Sequence, residues 1–200
     1  MRRSQLLPRP VSHISVASNS KNKVRIGGGE WRSRWLRFPD VPGLRPTPDR
    51  VRETLFNWLG QDLGGLVCLD LFAGTGALGF EALSRGAAKT VMVEQSLPAY
   101  KSLLDNRTAL GAQAAVIVHR SALQFIASNT ERFDVIFLDP PFHQGWLDKL
   151  LPELQAHLAD EGIIYAESES PIKDGADWQV WKNGRAGNVF YHLLKSAHAN

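Results

Sequence analysis

The chain has 200 residues, of which 44% are hydrophobic, and a net charge of +3 from 23 Lys+Arg and 20 Asp+Glu. This is the size of one ordinary domain with a sizeable core, and 17 Gly and 11 Pro exclude a collagenous or low-complexity polymer. The single cysteine, Cys68, excludes a disulfide framework or a Cys-based zinc cluster, so a reducing, cytoplasmic setting is expected. No run approaches the ~20 apolar residues of a membrane span, and the N-terminus lacks the apolar stretch of a secretory signal. The six histidines show no ligand spacing with acids or Cys68, so no metal site is expected. His143 reads as a solvent-facing loop residue and Cys68 as core packing. No coiled-coil pattern demands a dimer, and a monomer is expected.

The charge is unevenly spread. Residues 1–52 carry 12 Lys+Arg against Glu30, Asp40 and Asp49, or +9; the remainder carries 11 basic and 17 acidic residues, or −6. A basic arm on an acidic body suits a polyanion. Residues 1–22 contain no acid and no hydrophobic period, and are expected to be a disordered tail, with an organellar transit peptide as the other reading of that composition. Order is expected from Lys23, in an extension over residues 23–63 that precedes a core over 64–196.

In that extension VRI, a Gly27-Gly28-Gly29 turn and WRSRWLRF read as a hairpin. Its second strand interleaves Trp31 and Trp35 with Arg32, Arg34 and Arg37. Arginine clamps phosphates and aromatics stack on bases, so the mixture suits RNA, and equally an amphipathic strand with a solvated basic face. A Pro-rich connector leads to a helix over Pro48–Leu59. Thr47 is its expected cap, and Val51, Leu55, Phe56 and Leu59 form its apolar face. From residue 64 on, short apolar runs alternate with helices: VCLDLF, a helix to Arg85-Gly86, TVMVE, a helix over Leu97–Leu110, AAVIV, a helix over Ala122–Ser128, DVIFLD, a helix over Trp146–Leu158, and GIIYAES. The alternation predicts a parallel sheet covered on both faces. WQVWKN, a turn at Gly184–Gly187 and VFYHLL predict a closing antiparallel hairpin.

Three motifs carry chemistry. Gly74, Gly76 and Gly79 form a G-x-G-x-x-G at the end of the first core strand, which lets backbone approach a ligand at a helix N-terminus. Asp70, four residues earlier, would repel a dinucleotide pyrophosphate and attract the ammonium and sulfonium of S-adenosylmethionine. Glu94, 20 residues after Gly74, ends the second strand where a carboxylate can accept hydrogen bonds from ribose hydroxyls. Asp139-Pro140-Pro141-Phe142 ends the fourth. There the Asp139 carboxylate and a backbone carbonyl, that of Pro140, can orient an exocyclic amine toward a methyl donor, while Phe142 stacks on the base.

Together these motifs resemble the class I S-adenosylmethionine-dependent methyltransferases, in the amino-methylating branch with a D/N-P-P-F/Y/W motif. RIGGGEWRSRWLRFPDVPGLRPTPDRVRETLFNWL followed by CLDLFAGTGALGFEALSRGA is similar to the bacterial 16S ribosomal RNA guanine-N2 methyltransferases of the RsmD type. The likeness runs from about Val24 to the last hairpin. It implies a Rossmann-like, mostly parallel seven-stranded sheet with a reversed last strand, and methylation of a guanine N2 in 16S rRNA within assembled or assembling small subunits. It assigns the cofactor to Asp70, Phe72, Ala73, Gly74, Thr75, Gly76, Glu94, Ser121 and Ala122, with Thr47 and Arg50 of the N-terminal motif. Asp139, Pro140, Pro141 and Phe142 fall on the catalytic motif. Arg32, Arg34, Arg37, Arg45, Arg52 and Asn57 fall to the RNA, with Glu53 in the same N-terminal motif. Ser121 stands where such enzymes often place Asp or Asn to hold adenine, and residues 1–22 exceed the family's usual length. Other readings remain: an adenine-N6 methyltransferase on DNA or RNA, a nicotinamide-dependent oxidoreductase, for which no proton-donating substrate domain is evident, and a non-catalytic RNA-binding assembly factor.

Overall fold

A computed structural model describes residues 22–198. The tail expected over residues 1–22 thus lies outside the described residues, except for Asn22. In the core, strands β3 (Val67–Asp70), β4 (Lys89–Glu94), β5 (Ala115–His119), β6 (Phe133–Leu138) and β7 (Leu158–Ser168) run parallel. The hairpin of β8 (Trp178–Ala186) and β9 (Val189–Ser196) completes a seven-stranded sheet in the order β5-β4-β3-β6-β7-β9-β8, with β9 reversed against both neighbours. Helices α2 (Ala77–Ser84), α3 (Leu97–Leu110), α4 (Ala122–Ser128) and α5 (Trp146–Leu154) connect the parallel strands. The strand order reverses between β3 and β6, and at such a switch point the loops at the strands' C-terminal ends diverge and leave a crevice.

The extension forms β1 (Lys23–Arg25), β2 (Trp35–Arg37) and α1 (Asp49–Leu59). Its hairpin is shorter than expected: Lys23 pairs with Arg37 and Arg25 with Trp35, whereas Trp31, Arg32 and Arg34 lie in the turn region. The loop closes on itself through Ile26 N–H to the Arg34 carbonyl (2.9 Å) and Ser33 N–H to the Ile26 carbonyl (2.8 Å), and is also bound to α2. Glu30 N–H donates to the Ser84 carbonyl (2.7 Å), Trp31 N–H to Ser84 Oγ (2.9 Å) and Gly27 N–H to Glu81 Oε2 (2.7 Å). Asn106 of α3 receives Arg37 N–H and donates to its carbonyl. This explains α2, every residue of which is buried: one side faces the sheet and the extension covers the rest. Val24, Ile26, Leu36, Val51, Leu55 and Phe56 share one core with Phe80, Phe137 and Tyr165, so residues 23–63 pack as part of the same body as the sheet. Gly29 has φ +74°, and a Cβ there would sit 1.7 Å from the Ser84 carbonyl oxygen. Gly29→Ala is expected to lower stability by at least about 2 kcal/mol in chemical denaturation, by forcing the hairpin off α2.

Three boundaries differ from expectation. Thr47 makes no capping bond to α1, which starts at Asp49 behind Pro48; its hydroxyl is turned to Asp139. Helix α5 stops at Leu154, two residues after Pro152, and a 3-10 turn over Gln155–His157 hands the chain to β7, which begins by pairing Leu158 with Phe133. Strand β8 runs through Gly184, which pairs with Tyr191, and the turn shrinks to Gly187 and Asn188. Helices α3 and α4 have the expected bounds. Cys68 is fully buried in β3, and burial pushes its thiol up to about 12, so it is inert packing.

Candidate active site

A cavity of about 650 Å³ opens at the C-terminal ends of β3, β4, β6 and β7. Its floor is acidic because four strand ends deliver carboxylates there: Asp70, Glu94, Asp139 and Glu167. Its roof is the loop Val41–Pro48, with Leu44 against Gly74 and Thr47 Oγ1 donating to Asp139 Oδ2 at 3.2 Å.

Asp70 is buried, and its Oδ2 accepts from Gly79 N–H at 3.1 Å. Gly79 lies within α2, where a Cβ would meet Met92 Sδ at 2.6 Å, so its missing side chain lets α2 approach the sheet closely enough to make this bond. Burial and, secondarily, the charge of Asp139 push the Asp70 carboxyl up to about 7, against the pull of the Gly79 N–H. Glu94 closes the glycine loop: Oε2 accepts from Gly74 N–H (2.8 Å) and Oε1 from Ser96 N–H (2.6 Å). Asp139 is half-buried; burial raises it to about 6, opposed by the Thr47 hydroxyl.

Of the residues singled out from sequence, the cavity gathers Asp70, Phe72, Ala73, Gly74, Thr75, Glu94, Ala122, Arg45, Thr47, Asp139, Pro140, Pro141 and Phe142. Phe72 is held edge-on by Trp146 at 5.3 Å. Gly76 sits one step behind the wall as the N-cap of α2. Ser121 does not line the cavity: its hydroxyl accepts from Gln124 N–H in a capping box that starts α4. Arg50 and Asn57 are exposed on α1 and do not line the cavity, and Asn57 accepts a hydrogen bond from Gln61. Arg32, Arg34 and Arg37 are exposed on the hairpin, with Arg34 donating to the Ala109 carbonyl (2.5 Å). Arg52 corrects the reading of the N-terminal motif most sharply. It is buried, donating to Glu81 Oε2 (3.2 Å), Asp49 Oδ1 (2.6 Å) and the Arg25 carbonyl (2.8 Å), and is structural in these contacts.

The cavity also contains residues that sequence reasoning passed over, chiefly Leu44, Arg120 and Glu167. Glu167 has a signal: GIIYAES places an acid one residue before the end of an apolar strand, close to where VMVE and VIFLD place theirs. It is buried and accepts from Tyr165 Oη at 2.6 Å. Burial and the Asp139 charge push it up to about 8.

The residues present fit a cationic nucleoside cofactor. The volume is adequate for one beside a target base, and the acidic floor attracts a sulfonium and an ammonium while repelling a pyrophosphate. Glu94 holds its carboxylate at the tip of β4, beside the glycine loop. Among the described residues no group of three or more His, Cys, Asp and Glu is placed to hold a metal ion, and no helix is long and apolar enough to cross a membrane.

Fold and site together define a methyltransferase of the Rossmann-like class I. The chain belongs to the family described as conserved hypothetical protein 95, whose model matches residues 24–195. It is 43% identical over 184 residues to ribosomal RNA small subunit methyltransferase D of Escherichia coli K12, covering 88% of this chain and 92% of that protein. It is 40% identical to the protein of the same name from Haemophilus influenzae, over 89% of this chain and 96% of that one. A solved Escherichia coli structure, 44% identical, superposes with a TM-score of 0.79 over 88% of this chain and 98% of its own. The resemblance drawn from the motifs holds.

Proposed function

We propose that the protein methylates the exocyclic N2 of a guanine in 16S rRNA, within assembled or assembling small subunits, using S-adenosylmethionine. The observation that carries this reading is the placement of Asp139 at the end of β6, facing the cavity that Asp70 and Glu94 also line. The RNA substrate is supported by relatives named for small-subunit rRNA and by the exposed arginines of the hairpin.

S-adenosylmethionine, when bound, supplies an electrophilic methyl group on sulfur. Asp70 would face its cationic part, Glu94 would accept from its ribose hydroxyls, and Phe72 and Ala122 would wall the nucleoside. Asp139 accepts one amine hydrogen of the target base and the Pro140 carbonyl accepts another. These two acceptors would turn the nitrogen lone pair toward a methyl donor, a positioning effect that favours the transition-state geometry. Phe142 stacks on the base, and the prolines keep the loop stiff. Arg45 and Arg120 at the cavity wall attract backbone phosphates.

The test is incorporation of label from tritiated S-adenosylmethionine into small subunits from cells lacking the gene, naked rRNA and DNA, followed by nucleoside mass spectrometry. N2-methylguanosine on subunits is expected. N6-methyladenine would transfer the protein to the adenine-methylating class, and cofactor binding with no label on any substrate would make it a binding factor.

Asp70 makes cofactor affinity pH-dependent. A bound cation favours the carboxylate, so binding lowers the Asp70 pKa from about 7 and releases a proton below that pH. The affinity is expected to rise as pH increases from about 5.5 toward 8 and then level off. In Asp70→Asn this slope is lost and affinity at about pH 8 falls roughly tenfold. Calorimetry in two buffers of different ionisation enthalpy reads both the slope and the proton.

A further inference from the structure

Thr47 reaches from the roof of the cavity to its floor, where its hydroxyl donates to Asp139 Oδ2 at 3.2 Å, 92 residues along the chain. A threonine just ahead of a helix ordinarily spends its hydroxyl on a free N–H of the first turn, yet α1 begins with no side-chain cap. The hydroxyl goes to the carboxyl group instead. Thr47 is 7% exposed, and the backbone that presents it is stiff. Pro46 and Pro48 fix φ on either side of it, and branching at Cβ restricts its own χ1. Helix α1 starts at Asp49 and is tied down through Arg52.

The effect of this bond follows from the chemistry of a carboxylate. Asp139 can turn about its Cβ–Cγ bond; a donor held at Oδ2 opposes that rotation and leaves Oδ1 for a second donor. A hydroxyl also favours the charged form of its acceptor. Burial raises Asp139 to about 6, and the Thr47 bond opposes that rise. The other groups nearby do not take over this role. Asp70 ends β3 and Glu167 lies on β7, the two strands that flank β6. Raised chiefly by burial to about 7 and about 8, both are largely neutral where Asp139 titrates. Tyr165 is a neutral phenol bonded to Glu167. Glu94 stands two strands away on β4 and accepts from Gly74 and Ser96 N–H. His143, just past the prolines, pairs with Glu169. Arg45 and Arg120 line the cavity, but among the described residues no Lys, Arg or His forms an ion pair with Asp139.

We propose that Thr47 is a positioning residue for Asp139: its hydroxyl fixes one carboxylate oxygen, leaving the other for the target amine, and favours the charged form that accepts a hydrogen from that amine. This rests on the methyltransferase reading of the site. It gives Thr47 a part in the reaction different from the cofactor contact that the resemblance implies.

Thr47→Val removes the hydroxyl with little change of shape, and Thr47→Ser keeps it. With saturating S-adenosylmethionine, single-turnover methylation of small subunits by Thr47→Val is expected to be about five- to tenfold slower at the plateau of the pH–rate profile, with the acid limb moved up by about half to one pH unit. The shift is upward because the rate needs the carboxylate, and losing a donor to the carboxylate raises the pH at which it forms. The dissociation constant of the cofactor stays unchanged, and Thr47→Ser restores both rate and limb. In the absence of substrate, carbon-13 NMR of labelled carboxyl groups should show Asp139 titrating higher in Thr47→Val and as in wild type in Thr47→Ser. A packing role alone predicts the opposite order, since valine keeps the methyl group and serine loses it. An unmoved acid limb, a serine variant no better than the valine one, or weakened cofactor binding with Asp139 titrating as before overturns the proposal. The expected Asp139 titration with no label in any RNA overturns the substrate reading and leaves the Thr47 contact standing.

Discussion

Asp139→Ala is expected to reduce methyl transfer by about a thousandfold while changing the dissociation constant of S-adenosylmethionine less than about threefold. The split follows from where Asp139 stands. It is at the tip of β6, whereas the groups we propose to hold the cofactor come from β3, the glycine loop and β4. Loss of an oriented acceptor costs alignment of the amine and a route for its proton, effects of about 10²–10⁴ together with those of comparable oriented groups. Asp139→Asn keeps an acceptor oxygen but cannot take a proton, and should fall between wild type and alanine. Rapid-quench measurement of a single turnover with calorimetry of cofactor binding checks both halves. Turnover within tenfold of wild type in the alanine variant would remove Asp139 from the mechanism.

The second large effect lies in the clamp between extension and core. Glu81 is 1% exposed and accepts from Arg52 Nη1 (3.2 Å), Arg85 Nε (3.0 Å), Arg85 Nη2 (2.8 Å) and Gly27 N–H (2.7 Å). One carboxylate thus compensates two buried guanidinium groups, and Arg52 Nε already lacks a partner among the described residues. Glu81→Ala leaves both cations buried beside a void and is expected to cost about 3–5 kcal/mol. For a domain of this size that lowers Tm by roughly 10 °C. Asp49 reaches the same Arg52 from the exposed side, its side chain 79% accessible, and Asp49→Ala should cost less than about 1 kcal/mol. Thermal unfolding of the two variants side by side tests whether burial, and not the count of ion pairs, sets the value.

Regular elements were legible where local pattern and burial agree. Helices α3 and α4 have the expected bounds because the Gly111 stop and the Ser121 cap act within a few residues of chain. The glycine loop, Glu94 and Asp139 were legible because in a parallel sheet the strand ends share one edge. What could not be read depends on partners far along the chain. Arg52 reads as a substrate contact in sequence because its charge is visible there, whereas its buried counterion, Glu81, lies 29 residues on. Ser121 stands where adenine is held by resemblance, whereas its hydroxyl is engaged in the cap of α4. Thr47 looked like a cap, and the Asp139 oxygen it serves lies 92 residues downstream. Glu167 required knowledge of which strand neighbours β6.

The roof over the cavity has a mechanical meaning. Val41–Pro48 is suspended between two fixed points, the hairpin gripped by Ser84 and Asn106 and the helix α1 bolted down through Arg52. The exposed arginines Arg32, Arg34 and Arg37 and the hydroxyl that touches Asp139 therefore lie on one continuous stretch of chain. Under the proposed function, the segment that meets a large substrate at its outer end is therefore the same one that offers the reacting carboxylate a hydroxyl at its inner end.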